Sequence, residues 1–271
     1  MIQVEEQVTV FHSCKVRSTP KEVPAKEKKF LLRISINVMN VVITGASRGL
    51  GKAIAEIYAA NGHHLYLTSL SEVKLYKAVE ELMTRFPDVT VKAKPFDLSK
   101  KQQVKDFGKW VLEAGVSIDI LVNNAGSFAG ANVHDEADGA LEEMIETNLY
   151  SAYHLTRVLV GQMIKQKSGH IFNMSSIAGL KAYPGGGSYS ISKYALHGFS
   201  VNLREELKKY NIKVTTVFPG AAYTDSWAAS GIKKERFMEP GDIAKMVFAA
   251  SQLSPQACVE DIILRPQLGD I

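Results

Sequence analysis

Val41-Val42-Ile43-Thr44-Gly45-Ala46-Ser47-Arg48-Gly49-Leu50-Gly51 runs from a β-branched apolar stretch straight into a glycine-rich turn. Val41–Ile43 reads as a short buried strand. From Gly49 to Ala60, Leu50, Ile54, Ile57 and Tyr58 recur at a helical period. A strand, a glycine turn and a helix start, in that order, make a site for an anion. The glycines let the backbone turn tightly and approach a ligand, and the helix N-terminus offers free N–H groups and partial positive charge. The spacing is T-G-x-x-x-G-x-G rather than G-x-G-x-x-G.

Outward from this stretch the chain alternates. His64–Thr68 reads as a strand, Glu72–Phe86 as an amphipathic helix stopped by Pro87, Val89–Ala93 as a strand and Lys101–Ala114 as a helix. Ile118–Val122 is apolar throughout, as a strand covered on both faces must be. Leu141–Gln166 is expected as one long helix, His170–Met174 as a strand, Ser188–Tyr210 as a helix and Lys213–Val217 as a strand. Residues 220–239 look irregular; Asp242–Gln252 then reads as a helix and Val259–Leu264 as a final strand. Such alternation predicts an α/β fold: a three-layer, Rossmann-like, doubly wound parallel sheet of about seven strands in a single domain. Ligands of such sheets bind beyond the carboxyl ends of the strands.

Residues 1–38 differ from the rest. They hold Pro20, Pro24 and seven Lys/Arg against four Glu, a net +3 out of the chain's +4. They are expected as an N-terminal extension outside a main domain spanning 39–271. Met39 stands directly before the first core strand, so the native start is expected there. The body is then nearly neutral and gives no reason to expect a nucleic-acid partner. No apolar run is long enough to span a membrane, and the start lacks a secretory signal pattern. Cys14 and Cys258 stand far apart, without ligand-spaced neighbours, so neither a metal nor a disulfide framework is expected, and a reducing cytoplasm fits.

Tyr189 and Lys193 are four apart at the start of a predicted helix, hence on one face. A free tyrosine titrates near ~10. A neighbouring ammonium favours the phenolate and lowers that value, giving an acid or base for alcohol–carbonyl chemistry. Other polar residues follow the strands. Asn123-Asn124-Ala125-Gly126 comes after the apolar strand, Ser175-Ser176 after His170–Met174, and Pro219-Gly220 with Thr224 after Lys213–Val217. Asn148 sits inside a predicted helix, where asparagine needs a reason to be.

Together these motifs resemble the short-chain dehydrogenase/reductase family, from Met39 to about the C-terminus. The resemblance implies hydride transfer between a nicotinamide dinucleotide and a small alcohol or carbonyl compound. By it, Tyr189 is the proton donor or acceptor, and Lys193 lowers its pKa and holds the nicotinamide ribose. Ser176 bonds the substrate oxygen, and Asn148 holds a water in a relay to Lys193. Gly45, Ser47, Arg48, Gly49, Leu50 and Gly51 would cradle the pyrophosphate side. Asp97 and Leu98 would meet the adenine edge, and Asn124, Ala125 and Gly126 would line the adenosine ribose. Pro219, Gly220 and Thr224 would contact the nicotinamide end.

Ser69, rather than an acid, follows the second strand. An acid there binds the ribose 2′-hydroxyl and repels a 2′-phosphate. Ser69, with Arg48 in the glycine turn, therefore favours NADP over NAD, and reduction over oxidation. Tyr223, Trp227, Phe237 and Met238, joined by Phe128 and Tyr183, are candidates to cover the substrate. Pro219–Trp227 and the ending Val259–Pro266 with Gly269-Asp270-Ile271 are similar to bacterial sepiapterin reductases, which implies a pterin beside Trp227. A 3-oxoacyl-carrier-protein reductase is an alternative, although no basic patch for an acidic carrier stands out. A non-catalytic dinucleotide sensor or scaffold is another, disfavoured because Asn148, Ser176, Tyr189 and Lys193 are all present. The resemblance further implies a homodimer or homotetramer through the helices 141–166 and 188–210.

Overall fold

The computed structural model describes residues 38–271 except 226, 228 and 229. The expected extension, but for Val38, lies outside the described residues. Seven parallel strands form one sheet: β1 (Asn40–Thr44), β2 (His64–Thr68), β3 (Val91–Ala93), β4 (Ile120–Asn123), β5 (Gly169–Met174), β6 (Ile212–Pro219) and β7 (Asp261–Leu264). Their order is β3-β2-β1-β4-β5-β6-β7. The chain winds outward from β1 to β3, then crosses to β4 and winds the other way. The β1–β4 junction is therefore the switch point, where a crevice opens above the strand ends.

Side-chain alternation fills both faces. Val41 and Ile43 of β1, with Ile120 and Val122 of β4, point to one face. There they meet α1 (Gly49–Ala60), α2 (Glu72–Arg85) and α7 (Pro240–Ser251) through Ile54, Tyr58, Leu75, Leu82, Ile243 and Val247. Val42, Leu121 and Ile171 point the other way. They meet α3 (Lys101–Glu113), α5 (Ser151–Gln166) and α6 (Gly187–Leu207) through Phe107, Leu155, Leu159 and Leu203. The three layers expected from sequence are present.

The segment expected as one helix over 141–166 is broken. It runs as α4 (Ala140–Ile145), a π-helical turn over Glu146–Tyr150, and α5. Asn148 lies in that turn and is buried. A π-turn widens the backbone by a residue and re-aims the side chains inside it.

One buried histidine bears on stability. His170 Nε2 lies 2.7 Å from Thr215 Oγ1. Thr215 gives its own hydrogen to the Val259 carbonyl, so the imidazole must be the donor. Its Nδ1 is buried without a partner, and its ring stacks on Phe172. Burial pushes its pKa down to about 3. The unfolded chain therefore takes up a proton near pH 6.5 that the folded chain refuses until about 3. Stability from this group is intact above about pH 6.5 and falls on acidification by up to about 1.4 kcal/mol per pH unit. Urea melts from pH 7 to 4 should show that slope, and His170→Gln should flatten it.

Candidate active site

At the carboxyl end of β1 the chain makes the glycine turn. Gly45 and Gly49 have φ of 64° and 55°. A Cβ on Gly51 would lie 2.3 Å from the Gly45 carbonyl oxygen and 2.5 Å from Asn124 Nδ2, so a side chain here would force the turn apart. Helix α1 has no side-chain cap and no acid in its first turn. Its N–H groups are thus free for an anion. Ser47 and Ser69 meet hydroxyl to hydroxyl at 2.7 Å beside this turn. Arg48 reaches outward and pairs with Asp225 at 3.4 Å, both side chains more than half exposed. Thr224 packs over Gly49, since a Cβ there would lie 3.2 Å from Thr224 Cγ2. The structure thus brings the 220s segment onto the glycine turn. This cradle, open to an anion and without an acid at Ser69, fits a dinucleotide that carries a 2′-phosphate.

The turn after β4 is pinned to β1. Thr44 Oγ1 accepts from the backbone N–H groups of Asn124 and Ala125 at 2.9 and 2.8 Å. Asn124 Nδ2 donates back to the Thr44 and Gly45 carbonyls. Asn123 turns inward to bond Thr156 and Asn173 within the core. Asp97 uses its carboxylate to accept from the N–H and hydroxyl of Ser99, while Leu98 is buried beside α3.

The second half of the site gathers at β5 and α6. Ser176 Oγ accepts from Ala178 N–H, which leaves its own hydrogen free. It stands beside the Tyr189 phenol and favours the charged form of that group. Lys193 is buried, and its Nζ donates to the Met174 carbonyl at 2.9 Å. Asn148 Oδ1 accepts from Ser127 N–H at 2.8 Å, and its Nδ2 donates to the Ser127 carbonyl and Ser192 Oγ. Gly126 fits between them: a Cβ there would lie 2.9 Å from Asn148 Oδ1 and 3.5 Å from Lys193 Nζ. Ser176, Tyr189, Lys193 and Asn148 therefore share one locus.

The expected lowering of the tyrosine pKa is corrected here. Burial pushes the Tyr189 phenol upward, and the neighbouring Ser176 hydroxyl only partly offsets this. Burial also drives Lys193 down to about 8. The physical reason is desolvation: both groups sit out of water, and each resists its charged form. The ammonium bonds the Met174 carbonyl rather than the phenol.

The aromatic residues of 220–239 are occupied with one another. Trp227 and Tyr223 both lie against Phe237, at ring-centre distances of 5.3 and 5.7 Å. Pro219 ends β6, and Gly220 packs against Pro266, where a Cβ would lie 3.0 Å from Pro266 Cδ.

Two contributors escaped the sequence reading. Thr44 was legible as the first residue of the T-G-x-x-x-G-x-G turn, but nothing in its spacing announces a hydroxyl clamp. Glu136, from the segment between β4 and α4, accepts from both the N–H and the hydroxyl of Ser188. It caps the N-terminus of α6 one residue before Tyr189. A carboxylate at a helix N-terminus is favoured by the dipole, but a capping residue more than fifty positions away leaves no local pattern. Asn132 adds a second tie, accepting from Gly185 N–H at 2.9 Å.

Comparison with known proteins agrees with this fold. The family described as short chain dehydrogenase matches residues 39–235. Sepiapterin reductase of Chlorobaculum tepidum is 34% identical over 239 residues, covering 85% of this chain and 97% of that protein. An uncharacterised oxidoreductase of Staphylococcus aureus is 30% identical over 225 residues, or 83% and 96%. Among solved structures, an alcohol dehydrogenase of Thermococcus sibiricus with 5-hydroxy-NADP superposes with TM-score 0.78 at 29% identity, covering 85% of this chain and 97% of that one. The L-sorbose reductase of Gluconobacter frateurii with NADPH and L-sorbose gives 0.76 at 28%, covering 84% and 95%.

The cap predicts a positioning effect. Glu136→Ala should lower kcat about tenfold, through loss of a cap worth ~1 kcal/mol and drift of the phenol. Glu136→Gln, which still accepts hydrogen bonds, should recover most of the rate, and neither change should alter dinucleotide Kd. Stopped-flow single turnovers with a deuterated nicotinamide would show a larger isotope effect in Glu136→Ala. An unchanged single-turnover rate would limit Glu136 to a structural role.

Proposed function

The chain belongs to the short-chain dehydrogenase family, an oxidoreductase family, and from that premise we propose that it is an NADPH-dependent reductase of small carbonyl compounds. The observation that carries the proposal is the convergence of Ser176, Tyr189, Lys193 and Asn148 beyond the carboxyl end of β5, facing a glycine cradle without an acid at Ser69. Solved relatives that hold NADP or NADPH support the choice of cofactor.

Gly45, Ser47, Gly49 and Leu50 would hold the pyrophosphate, with Arg48 and Ser69 at the 2′-phosphate. Asp97, Leu98, Asn124, Ala125 and Gly126 would flank the adenosine. Lys193 with Pro219 and Gly220 would flank the nicotinamide ribose and ring, and Thr224 would close over the glycine turn. The bound nicotinamide supplies the hydride.

The chain's own residues handle the oxygen. Ser176 Oγ donates a hydrogen bond to the substrate oxygen and steadies the negative charge that grows there. Tyr189 donates the phenolic proton to that oxygen. Its raised pKa keeps it protonated at neutral pH, in the acid form that reduction requires. Lys193, cationic below about pH 8, stabilises the phenolate left behind. Asn148 holds the strand-end segment at Ser127 against α6 and orders the water through which Tyr189 regains its proton. The oxidation of an alcohol runs the same steps in reverse.

The substrate class includes pterin-like carbonyls, on the 34% identity to a sepiapterin reductase. We also propose a homodimer or homotetramer through α5 and α6, where Tyr153, Val160, Ile164 and Phe199 line an open surface cavity of about 670 Å³. We place the enzyme in the cytoplasm, in keeping with its two widely spaced cysteines.

Tyr189→Phe should cut kcat by about 10²–10⁴-fold while NADPH Kd stays within twofold; NADPH oxidation at ~340 nm and fluorescence titration read the two. Retained turnover would remove Tyr189 from the chemistry. Ser69→Asp should shift kcat/KM toward NADH by placing a carboxylate against the 2′-phosphate. An unchanged NADPH:NADH ratio would assign discrimination to Arg48 and other contacts.

A further inference from the structure

Among the described aromatic side chains near the reactive phenol, Phe128 stands apart. Its ring meets Tyr189 edge to face, with centres 4.9 Å apart and planes at 87°. It is nevertheless 57% exposed. A large apolar ring in water beside a reactive group carries a solvation cost that a ligand removes. The Trp227 cluster is different, since its rings already cover one another.

The backbone under Phe128 is held on both sides. Ser127, its neighbour, is gripped at its N–H and its carbonyl by Asn148. Four residues on, Asn132 is tied to Gly185. The ring also lies over Gly130, where a Cβ would come 3.2 Å from Phe128 Cζ. The backbone that presents Phe128 is thus held in place, and an aromatic ring with only two side-chain torsions loses little freedom when a ligand covers it. Tyr183 extends the surface, 43% exposed and near enough to perturb the Tyr189 phenol.

We infer that Phe128 is a specificity-determining residue that selects flat, conjugated carbonyl substrates. The inference rests on the reductase reading above. Two aromatic planes at a right angle form a corner. A planar ring stacks on one face and presents its positive edge to the other, an arrangement that a puckered aliphatic ring cannot match. A carbonyl conjugated to that ring stays in its plane, and its oxygen is carried toward the Tyr189 hydroxyl at the end of the corner.

A matched pair of substrates tests this: 1-phenyl-1,2-propanedione and its cyclohexyl counterpart, with NADPH. The native enzyme should favour the phenyl compound by about tenfold in kcat/KM, mostly in KM. Phe128→Ala should abolish that preference, Phe128→Leu should keep apolar binding but not the preference, and both should melt within a few degrees of the native protein, as befits an exposed side chain. An equal preference in Phe128→Ala, or none in the native enzyme, overturns the inference. Turnover of neither compound would instead tell against the reductase reading. The binding arm then decides on Phe128: dissociation constants of both diketones for the NADPH complex of Tyr189→Phe, with and without Phe128→Ala. A phenyl preference that vanishes with Phe128 supports the assignment, and equal affinities overturn it.

Discussion

The hydroxyl of Thr44 holds the cleft open at a fixed width. It sits at the end of β1, at the point where the sheet reverses its winding, and accepts two backbone N–H groups from the turn after β4. Neighbouring strand ends at such a point diverge and leave backbone donors unpaired. An unpaired buried N–H costs about 1–3 kcal/mol. One side chain satisfies two partly buried donors, each at stake for less than that full cost, and ties the glycine cradle to the Asn123–Gly126 turn. Everything placed relative to the dinucleotide inherits that tie.

The other half of the site depends on a helix that is not regular. The π-turn over Glu146–Tyr150 turns Asn148 inward, where it joins Ser127 to Ser192 and so the segment after β4 to the helix bearing Tyr189 and Lys193. A regular helix would satisfy its own backbone but leave this three-way junction unmade. The buried polar row Asn123–Asn173–Ser200 continues the same logic through the sheet, each amide paired with the next. These bonds tie β4, β5 and α6 together, while Asn123 Oδ1 stays buried without a partner among the described residues.

What was legible in the sequence divides along physical lines. Helix α1 and strand β2 match their expected bounds residue for residue, because hydrophobic period and glycine punctuation are local signals. Tyr189 and Lys193 were legible because a spacing of four on a helix is itself a geometry. Asn148 was legible as an anomaly, but the π-turn that explains it was not, since it arises from contacts with Ser127 and Ser192 far away in sequence. Glu136 and Thr44 were hidden for the same reason. The direction of the Tyr189 pKa was misread because proximity to a cation can be inferred from spacing, whereas the loss of water around both groups cannot. Trp227 drew attention as a large aromatic in an irregular segment, yet Phe237 takes up its ring, while the more modest Phe128 keeps its face free.

Glu136 caps the helix that carries the phenol, and it belongs to the same segment as Phe128. Reactivity and substrate choice therefore share one piece of backbone. A lineage that lengthens or reshapes residues 127–139 to admit a bulkier compound also loosens the start of α6. Broader scope would come at the expense of speed until a second change restores the cap. Descendants of this scaffold would then be expected to change scope in paired steps, with slow generalists between fast specialists.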